Sequence, residues 1–294
     1  MSSDVPVLTA AGHAGNGQGD AGAETVTLPA IFSTPLRPDL IHKAFVHLAS
    51  HSFQPQGRHP TAGMDVVADT NDPPTGRGIA RIARARGGGG RRRGEGAEVA
   101  STRGGRQAHP PTAEKVIRKR LNKKEGRLAF CSAVAATASR DLVASRGHDI
   151  SKYVDGGGAL PIVIEDGITE YGTTRDVLEL LKRLNLAEDV DRLRSRKARS
   201  GRSSLRGRSR KVGKSVLFVT HNDGPLRRAV GALPGVDTKR VDELSVLDLA
   251  PGSDPARLTV FTKSAVGQLD SIRSTHLQKI VTPLQETATE AEGQ

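Results

Sequence analysis

The chain has 294 residues, of which 36% are hydrophobic and 3% aromatic, with no tryptophan and a formal net charge of +12. That length gives one or two domains with ample chain for a core, while the scarcity of aromatics excludes an aromatic-rich core or a stacking platform for bases. A lone cysteine, Cys131, excludes an intramolecular disulfide, and neither a secretory leader pattern nor a run of 18 apolar residues is present, so a reducing, cytoplasmic setting away from membranes is expected.

In chain order, residues 1–24 are rich in Gly, Ala and small polar residues and read as a flexible tail. Residues 25–28 read as a short strand. Pro38-Asp39 opens a helix to about residue 51, with Leu40, Ile41, Ala44, Phe45 and Leu48 at helical spacing. From 53 to 111 no period appears, and a connection of about sixty residues is far beyond an ordinary loop. Regular structure resumes with Asn122 as N-cap of an alanine-rich helix over 123–139, in which Cys131 reads as a buried structural thiol. A buried strand at 160–164 and a helix over 174–185 follow. Residues 192–214 read as loop, 215–220 as the clearest strand, and 225–233 as a short helix. A possible strand at 237–241, a helical turn at 246–249, a strand at 257–262 and a helix near 264–271 close the pattern. The last residues, 272–294, read as a polar tail. Apolar strands alternating with helices predict an α/β fold, a single three-layer domain over 25–271 with a largely parallel sheet and a long inserted Arg/Gly-rich loop.

Charge is unevenly spread. Residues 76–127 hold 16 Lys and Arg against 4 acids, and residues 192–214 hold 11 against none, while the remaining chain carries 17 basic and 28 acidic residues. A mildly acidic body therefore carries two strongly basic segments, which points to targeted contact with a polyanion. The first segment contains Arg84-Ala-Arg86-Gly-Gly-Gly-Gly-Arg91-Arg92-Arg93-Gly-Glu-Gly96. It cannot bury enough apolar surface to order itself, and alone it should be disordered. Its guanidinium forks match phosphate oxygens two bonds at a time, and its glycines let the backbone approach a surface closely. Neither segment has an amphipathic face or apolar anchor for a membrane. No rigid major-groove reader is present, so folded RNA suits the segments better than DNA.

Other motifs carry less. Gly213-Lys214-Ser215 is a GKS triplet, but a phosphate loop needs glycine at 208, where Arg208 stands, and the triplet enters a strand instead of leaving one. The glycines at 87–96 have no strand before them and no helix after, so they do not make a dinucleotide fingerprint. His47 and His51 are four apart on one helix, which is zinc-ligand spacing, yet no cysteine cluster or intervening glutamate supports it and they read as surface or packing histidines. Ser203-Ser204 has no partnered His or Asp nearby in sequence. No metal, no cofactor and no enzymatic activity are expected.

Several stretches, in order, resemble the family of the fourth protein of the large ribosomal subunit, archaeal and eukaryotic type. They are Gly76-Arg-Gly-Ile-Ala-Arg-Ile-Ala-Arg-Ala-Arg-Gly-Gly-Gly89, Gly104-Gly-Arg-Gln-Ala-His-Pro-Pro111, Asn122-Lys-Lys-Glu-Gly-Arg-Leu-Ala-Phe-Cys-Ser-Ala-Val-Ala-Ala-Thr-Ala138, Asp141-Leu-Val-Ala-Ser-Arg-Gly-His148, Leu205-Arg-Gly-Arg208, and Leu249-Ala-Pro-Gly252 with Arg257-Leu-Thr-Val-Phe-Thr262. The family's aromatic before the first Gly-Arg pair is Pro73-Pro74-Thr75 in this chain, and its proline in the Arg-Ile-x-Arg stretch is Ala83. The resemblance implies a structural constituent of the large subunit, partnered by large-subunit ribosomal RNA and neighbouring ribosomal proteins, with the long loop lining the exit tunnel near the nascent peptide. The RNA-binding residues it and the charge pattern nominate in the first segment are Arg77, Arg81, Arg84, Arg86, Arg91, Arg92, Arg93, Arg103, Arg106, His109, Lys115, Arg118, Lys119 and Arg120. In the second they are Arg199, Arg202, Arg206, Arg208, Arg210, Lys211 and Lys214. A free RNA chaperone or messenger-RNA-binding regulator is the alternative, distinguished by sedimentation away from large subunits.

Overall fold

The apolar runs meet in one sheet. The structure, a computed structural model, describes residues 4–8, 25–70, 72–86, 91–194, 197–211, 213–222 and 224–272. The chain begins with strands β1 (Asp4–Leu8) and β2 (Thr25–Thr27), helix α1 (Pro38–Ala49), and strands β3 (Ala68–Asp69) and β4 (Arg84–Ala85). Helices α2 (Lys123–Ala136), α3 (Arg140–Ser145) and α4 (Ser151–Asp155) lead to strand β5 (Ile162–Ile164) and helices α5 (Thr174–Arg183) and α6 (Ala187–Asp191). Strand β6 (Lys197–Ala198), helix α7 (Arg202–Leu205) and strand β7 (Arg210–Lys211) precede β8 (Leu217–Thr220), α8 (Leu226–Val230) and β9 (Asp237–Arg240). Helix α9 (Val246–Leu249), strand β10 (Thr259–Thr262) and helix α10 (Lys263–Ile272) complete it.

Six strands pair in the order β2-β1-β5-β10-β8-β9. The β1–β2 pair is antiparallel and the other four are parallel. Strands of a parallel sheet are covered on both faces, which is why every residue of β5, β8 and β10 is buried and none is charged. Alternate side chains divide between two clusters. Val163, Leu217, Val219 and Phe261 join one with residues of α1, α2, α9 and α10. Ile162, Ile164, Phe218 and Val260 join the other with residues of α3, α5, α6 and α8. The two clusters are the interfaces of a three-layer α/β arrangement.

The helices begin where local chemistry starts them. Pro38 leads α1, and Thr173 caps α5 by accepting from the Asp176 amide at 3.3 Å. Cys131 is fully buried on α2, and the neighbouring Ser132 accepts the Arg37 amide at 2.7 Å. The sequence reading needs correction at the N-terminus. Residues 4–8 are not tail but an interior strand, with Val5 and Val7 buried in the first cluster. Pro6 lacks an amide hydrogen, and the strand tolerates it where partners change: positions 4–6 pair with β2, whereas pairing with β5 starts at Val7. The rest of the proposed N-terminal tail, 1–3 and 9–24, and residues 273–294 of the C-terminal one lie outside the described residues.

Residues 50–119 form a compact unit distinct from the body, which is built from the chain on either side. The inserted segment is therefore longer than 53–111 at both ends, because the basic stretch 112–119 has no regular structure and runs back to the start of the insertion. Residues 192–214 also depart from the loop reading. Strands β6 and β7 pair antiparallel, Lys197 opposite Lys211 and Ala198 opposite Arg210, with the one-turn helix α7 between them.

Candidate nucleic-acid interface

The 50–119 unit is held by backbone turns rather than by a core. Strand β4 pairs with β3, and on its other side the backbone of 94–97 hydrogen-bonds to it: the Ala85 amide donates to Glu95 at 2.9 Å and the Ala97 amide to Ala83 at 2.8 Å. Gly63 and Gly105 allow close backbone approach; a Cβ on Gly63 would stand 2.6 Å from the Gly105 carbonyl, and Gly63 has a φ of 85°. At the neck, the Lys119 amide donates to Ser50 Oγ at 3.0 Å, and His51 Nε2 donates to the Lys119 carbonyl at 3.0 Å. One residue further into the body, His47 Nδ1 donates to the Arg120 carbonyl at 2.9 Å. The i, i+4 histidine pair thus closes the base of the insertion. His47 lies on α1 and His51 in the 3-10 turn Ser50–Ser52 that follows it.

Every nominated cation of the first segment is exposed, as is His109. Some are tied into the unit itself. Arg81 donates to Thr75 Oγ1 at 3.1 Å, Arg84 to the Gly94 carbonyl at 2.9 Å, Arg86 pairs with Asp69 at 2.9 Å, and the Arg92 guanidinium lies on Gly104. Among the described residues, Arg77, Arg91, Arg93, Arg103, Arg106, Lys115, Arg118, Lys119 and Arg120 have no acidic partner. Phe53 is the exposed aromatic among the described residues, the others being buried or half-buried. This surface suits phosphate contact and offers little for base stacking.

The second segment is a basic arm. Between 197 and 211 it carries Lys197, Arg199, Arg202, Arg206, Arg208, Arg210 and Lys211 with no acid, all exposed. The Arg199 amide bonds the Ser209 carbonyl at 2.8 Å, and Gly201 and Gly207, with φ of 71° and 76°, turn the chain at either end of α7. Lysine opposite lysine across a strand pair is unfavourable by itself, so the arm holds a strong unmet demand for anions. Lys214 differs from the rest: it is ion-paired with Asp237 at 2.7 Å.

Two arginines inside the recognised motifs turn inward. Arg257, 1% exposed, donates to Ser215, Gly235 and Asp237 at 2.7, 2.9 and 2.7 Å and, more weakly, to the Val216 and Asp248 carbonyls. Arg146 donates to the carbonyls of Pro251, at 2.6 Å, and Asp254. Burial pulls both guanidinium pKa values below the ordinary arginine range. Charge counting cannot separate such residues from exposed ones; the signal available is that Arg257 opens a strand-like run, Leu258–Thr262. Asp189 is fully buried and accepts from His148 Nδ1 at 3.1 Å, Arg192 at 2.9 Å, and the Ser215 hydroxyl. Burial pushes its carboxyl pKa up, but the His148 hydrogen bond and charge, Ser215 and Arg192 outweigh that and hold it below the usual range. Asp237 is likewise raised by burial and lowered further by Lys214 and Arg257.

Among the described residues the body offers no phosphate loop. Gly213 and Lys214 line a depression of about 310 Å³ with residues 231–237, but the Lys214 ammonium is held by Asp237 and the triplet runs straight into β8. At the carboxyl ends of β5 and β10, where such sheets often bind ligands, the Asp166 carboxylate already occupies the start of α10, accepting the Ser264 amide at 3.1 Å and its hydroxyl. No helix among the described residues is long and apolar enough to cross a membrane.

The sequence profile of the ribosomal protein L4/L1 family matches residues 26–272. Large ribosomal subunit protein uL4 of Sulfurisphaera tokodaii is 41% identical over 248 residues, covering 84% of this chain and 89% of the relative. Its counterparts from Methanoregula boonei and Methanoculleus marisnigri are 42% and 44% identical over 249 residues, each covering 84% of this chain and 94% of the relative. An α/β body with a largely parallel sheet, two exposed arginine-rich segments, and this similarity over most of both chains lead to one assignment: the chain belongs to the ribosomal protein L4/L1 family and is a structural, non-enzymatic constituent of the large ribosomal subunit.

Proposed function

We propose that the two basic segments bind large-subunit ribosomal RNA through arginine–phosphate contacts, and that the 50–119 insertion enters the RNA and helps to line the nascent-peptide exit tunnel. The observation that carries the reading is the division of labour among cations. Interior arginines such as Arg257 are consumed by carbonyls and carboxylates, whereas the segment cations from Arg77 to Arg120 and from Arg199 to Lys211 are exposed and far outnumber nearby acids. Arginine forks in the arm replace counterions between RNA helices and let phosphates pack closely.

Binding of the full chain to purified large-subunit RNA should weaken linearly on a log–log scale with salt, at a slope of about 0.7–0.9 per phosphate contacted. A flat salt response would sink the phosphate mechanism. Crosslinks from residues 76–106 in purified large subunits should fall on RNA segments bordering the tunnel; crosslinks confined to the subunit's outer surface would refute the tunnel placement while leaving RNA binding intact.

A further inference from the structure

The arm's two ends are held by carboxylates, and the cations at those ends are not free. At the entry, Arg192 follows α6 and donates to the buried Asp189 at 2.9 Å. At the exit, the Ser215 hydroxyl donates to that same carboxylate. Asp189 therefore staples entry to exit. Packing repeats the arrangement: Leu193, at the entry, lies so close to Gly213, at the exit, that a Cβ there would stand 2.6 Å from Leu193 Cδ2. Lys214 adds a second fixing point, donating to Asp237 at 2.7 Å. Asp237 is itself set by Arg257, whose guanidinium is anchored on the Ser215 and Gly235 carbonyls. Against these neutralised roots stand the seven cations of 197–211, with no acid among them.

We propose that Asp189 and Asp237 are the fixing points of the basic arm, and that Arg192 and Lys214 position the arm on them instead of binding phosphate. The inference rests on the reading that the arm binds ribosomal RNA, and it alters that reading at Lys214. The acids at the root do two things. They hold the two ends together, so the arm presents its cations from a fixed base, and they occupy the root cations so that these are not offered to phosphate. RNA contact is thereby confined to the distal part, from Lys197 to Lys211. Preorganisation of this kind raises affinity by lowering the ordering cost at binding, without adding a contact.

The two roles differ in salt dependence. Full-length Lys214→Gln, Lys214→Arg and Arg208→Gln chains are titrated with purified large-subunit ribosomal RNA across a series of salt concentrations. A phosphate ligand contributes about 0.7–0.9 to the log–log salt slope, and a positioning residue contributes none. Lys214→Gln should bind about threefold more weakly, from lost preorganisation, at the wild-type slope, and Lys214→Arg should restore affinity by keeping the pair with Asp237. Arg208→Gln should lower the slope by one phosphate's worth. A slope reduced in Lys214→Gln as in Arg208→Gln would overturn the proposal, because Lys214 would then be a phosphate ligand. Unchanged affinity and slope in Lys214→Gln would overturn it too, leaving the lysine a bystander. Should Arg208→Gln and its arm neighbours leave the slope untouched, the arm does not bind phosphate, and the RNA reading of the arm falls together with this inference. Because the Lys214–Asp237 pair is partly exposed, its loss costs little stability, and matching melting curves establish that the variants are folded.

Discussion

Arg257→Met is the sharpest probe of how the body is held together. Methionine keeps an unbranched stem of similar length and removes every donor. Arg257 is 1% exposed, so bulk solvent does not reach the groups it leaves. The losses are unequal. The Gly235 carbonyl retains the Ser215 amide at 2.8 Å, and Asp237 retains Lys214 at 2.7 Å. The Ser215 and Asp248 carbonyls lose the Arg257 bonds outright. Leaving a buried acceptor without its donor costs about 1–3 kcal/mol, and breaking a buried ion pair from one side about 3–5 kcal/mol. Since Asp237 is a third exposed and keeps one cation, the lower end applies, about 3 kcal/mol. For a body of this size each kcal/mol moves the midpoint by about 2–4 °C, so Arg257→Met should melt about 6–12 °C below wild type by far-ultraviolet circular dichroism. Below the transition its RNA salt slope should match wild type, because the guanidinium never reaches solvent. Melting within about 2 °C of wild type would refute the view that Arg257 ties β8, β9 and α9 together, and a reduced salt slope would refute its interior assignment.

Two further predictions concern the acids and the neck. Asp189 and Asp237 have folded pKa values below the ordinary carboxylate value near 3.9, so the stability they supply is complete well above that pH and is lost as pH falls through their lowered folded values. The urea midpoint should therefore drop steeply below about pH 4, and Asp189→Asn should be less stable at neutral pH with a shallower acid slope; an acid slope equal to wild type would contradict the assignment. His51→Ala removes the imidazole bond to the Lys119 carbonyl, worth about 1 kcal/mol, which makes local opening about fivefold more frequent. Tryptic cleavage at Lys115–Arg120 should accelerate by that factor with body melting unchanged, and an unaltered cleavage rate would show that His51 does not close the neck.

What the sequence revealed follows from where each element finds its partners. Strands β8 and β10 were legible because burial on both faces favours β-branched and apolar runs such as Val216–Thr220 and Leu258–Thr262. Helix α5 was legible because its apolar stripe, its terminal Lys182 and Arg183, and the adjacent cap Thr173 all lie in one short stretch of sequence. Strand β1 was not, since Val5 and Val7 flank a proline and precede a Gly/Ala-rich stretch, and the partner of Val7 on β5, Val163, lies more than 150 residues away. The β6–β7 pair escaped for another reason. Two-residue strands of Lys, Ala and Arg carry no hydrophobic period, and their pairing rests on backbone bonds that any sequence could make. The nominated cations were legible as exposed because nearly every one sits among Gly, Ser or other cations. Lys214 was the instructive case: it sits between Gly213 and Ser215 at the end of an acid-free segment, but its neighbour in space is Asp237. Pairing across space is invisible to charge counting along the chain.

That pairing also explains the acidity of the body. Outside the two basic segments the chain has 28 acids for 17 basic residues. Some of the excess balances buried or root cations, as Asp189 does for Arg192 and Asp237 does for Arg257 and Lys214. Exposed acids among the described residues, such as Asp141, Asp149 and Glu170, repel a polyanion. At physiological salt this repulsion acts over about 8 Å, too short to hinder a distant encounter and long enough to disfavour phosphate lying flat on the body. Attraction at the segments and repulsion between them have the same consequence: a nucleic acid gains most by meeting the arginines and least by sliding onto the sheet and helices. An even spread of the same +12 charge would bind polyanions as strongly at a distance but without register. Concentrating the cations on two narrow segments, and fixing the root of the arm with carboxylates, converts charge into placement, which is the task of a structural protein inside a folded RNA.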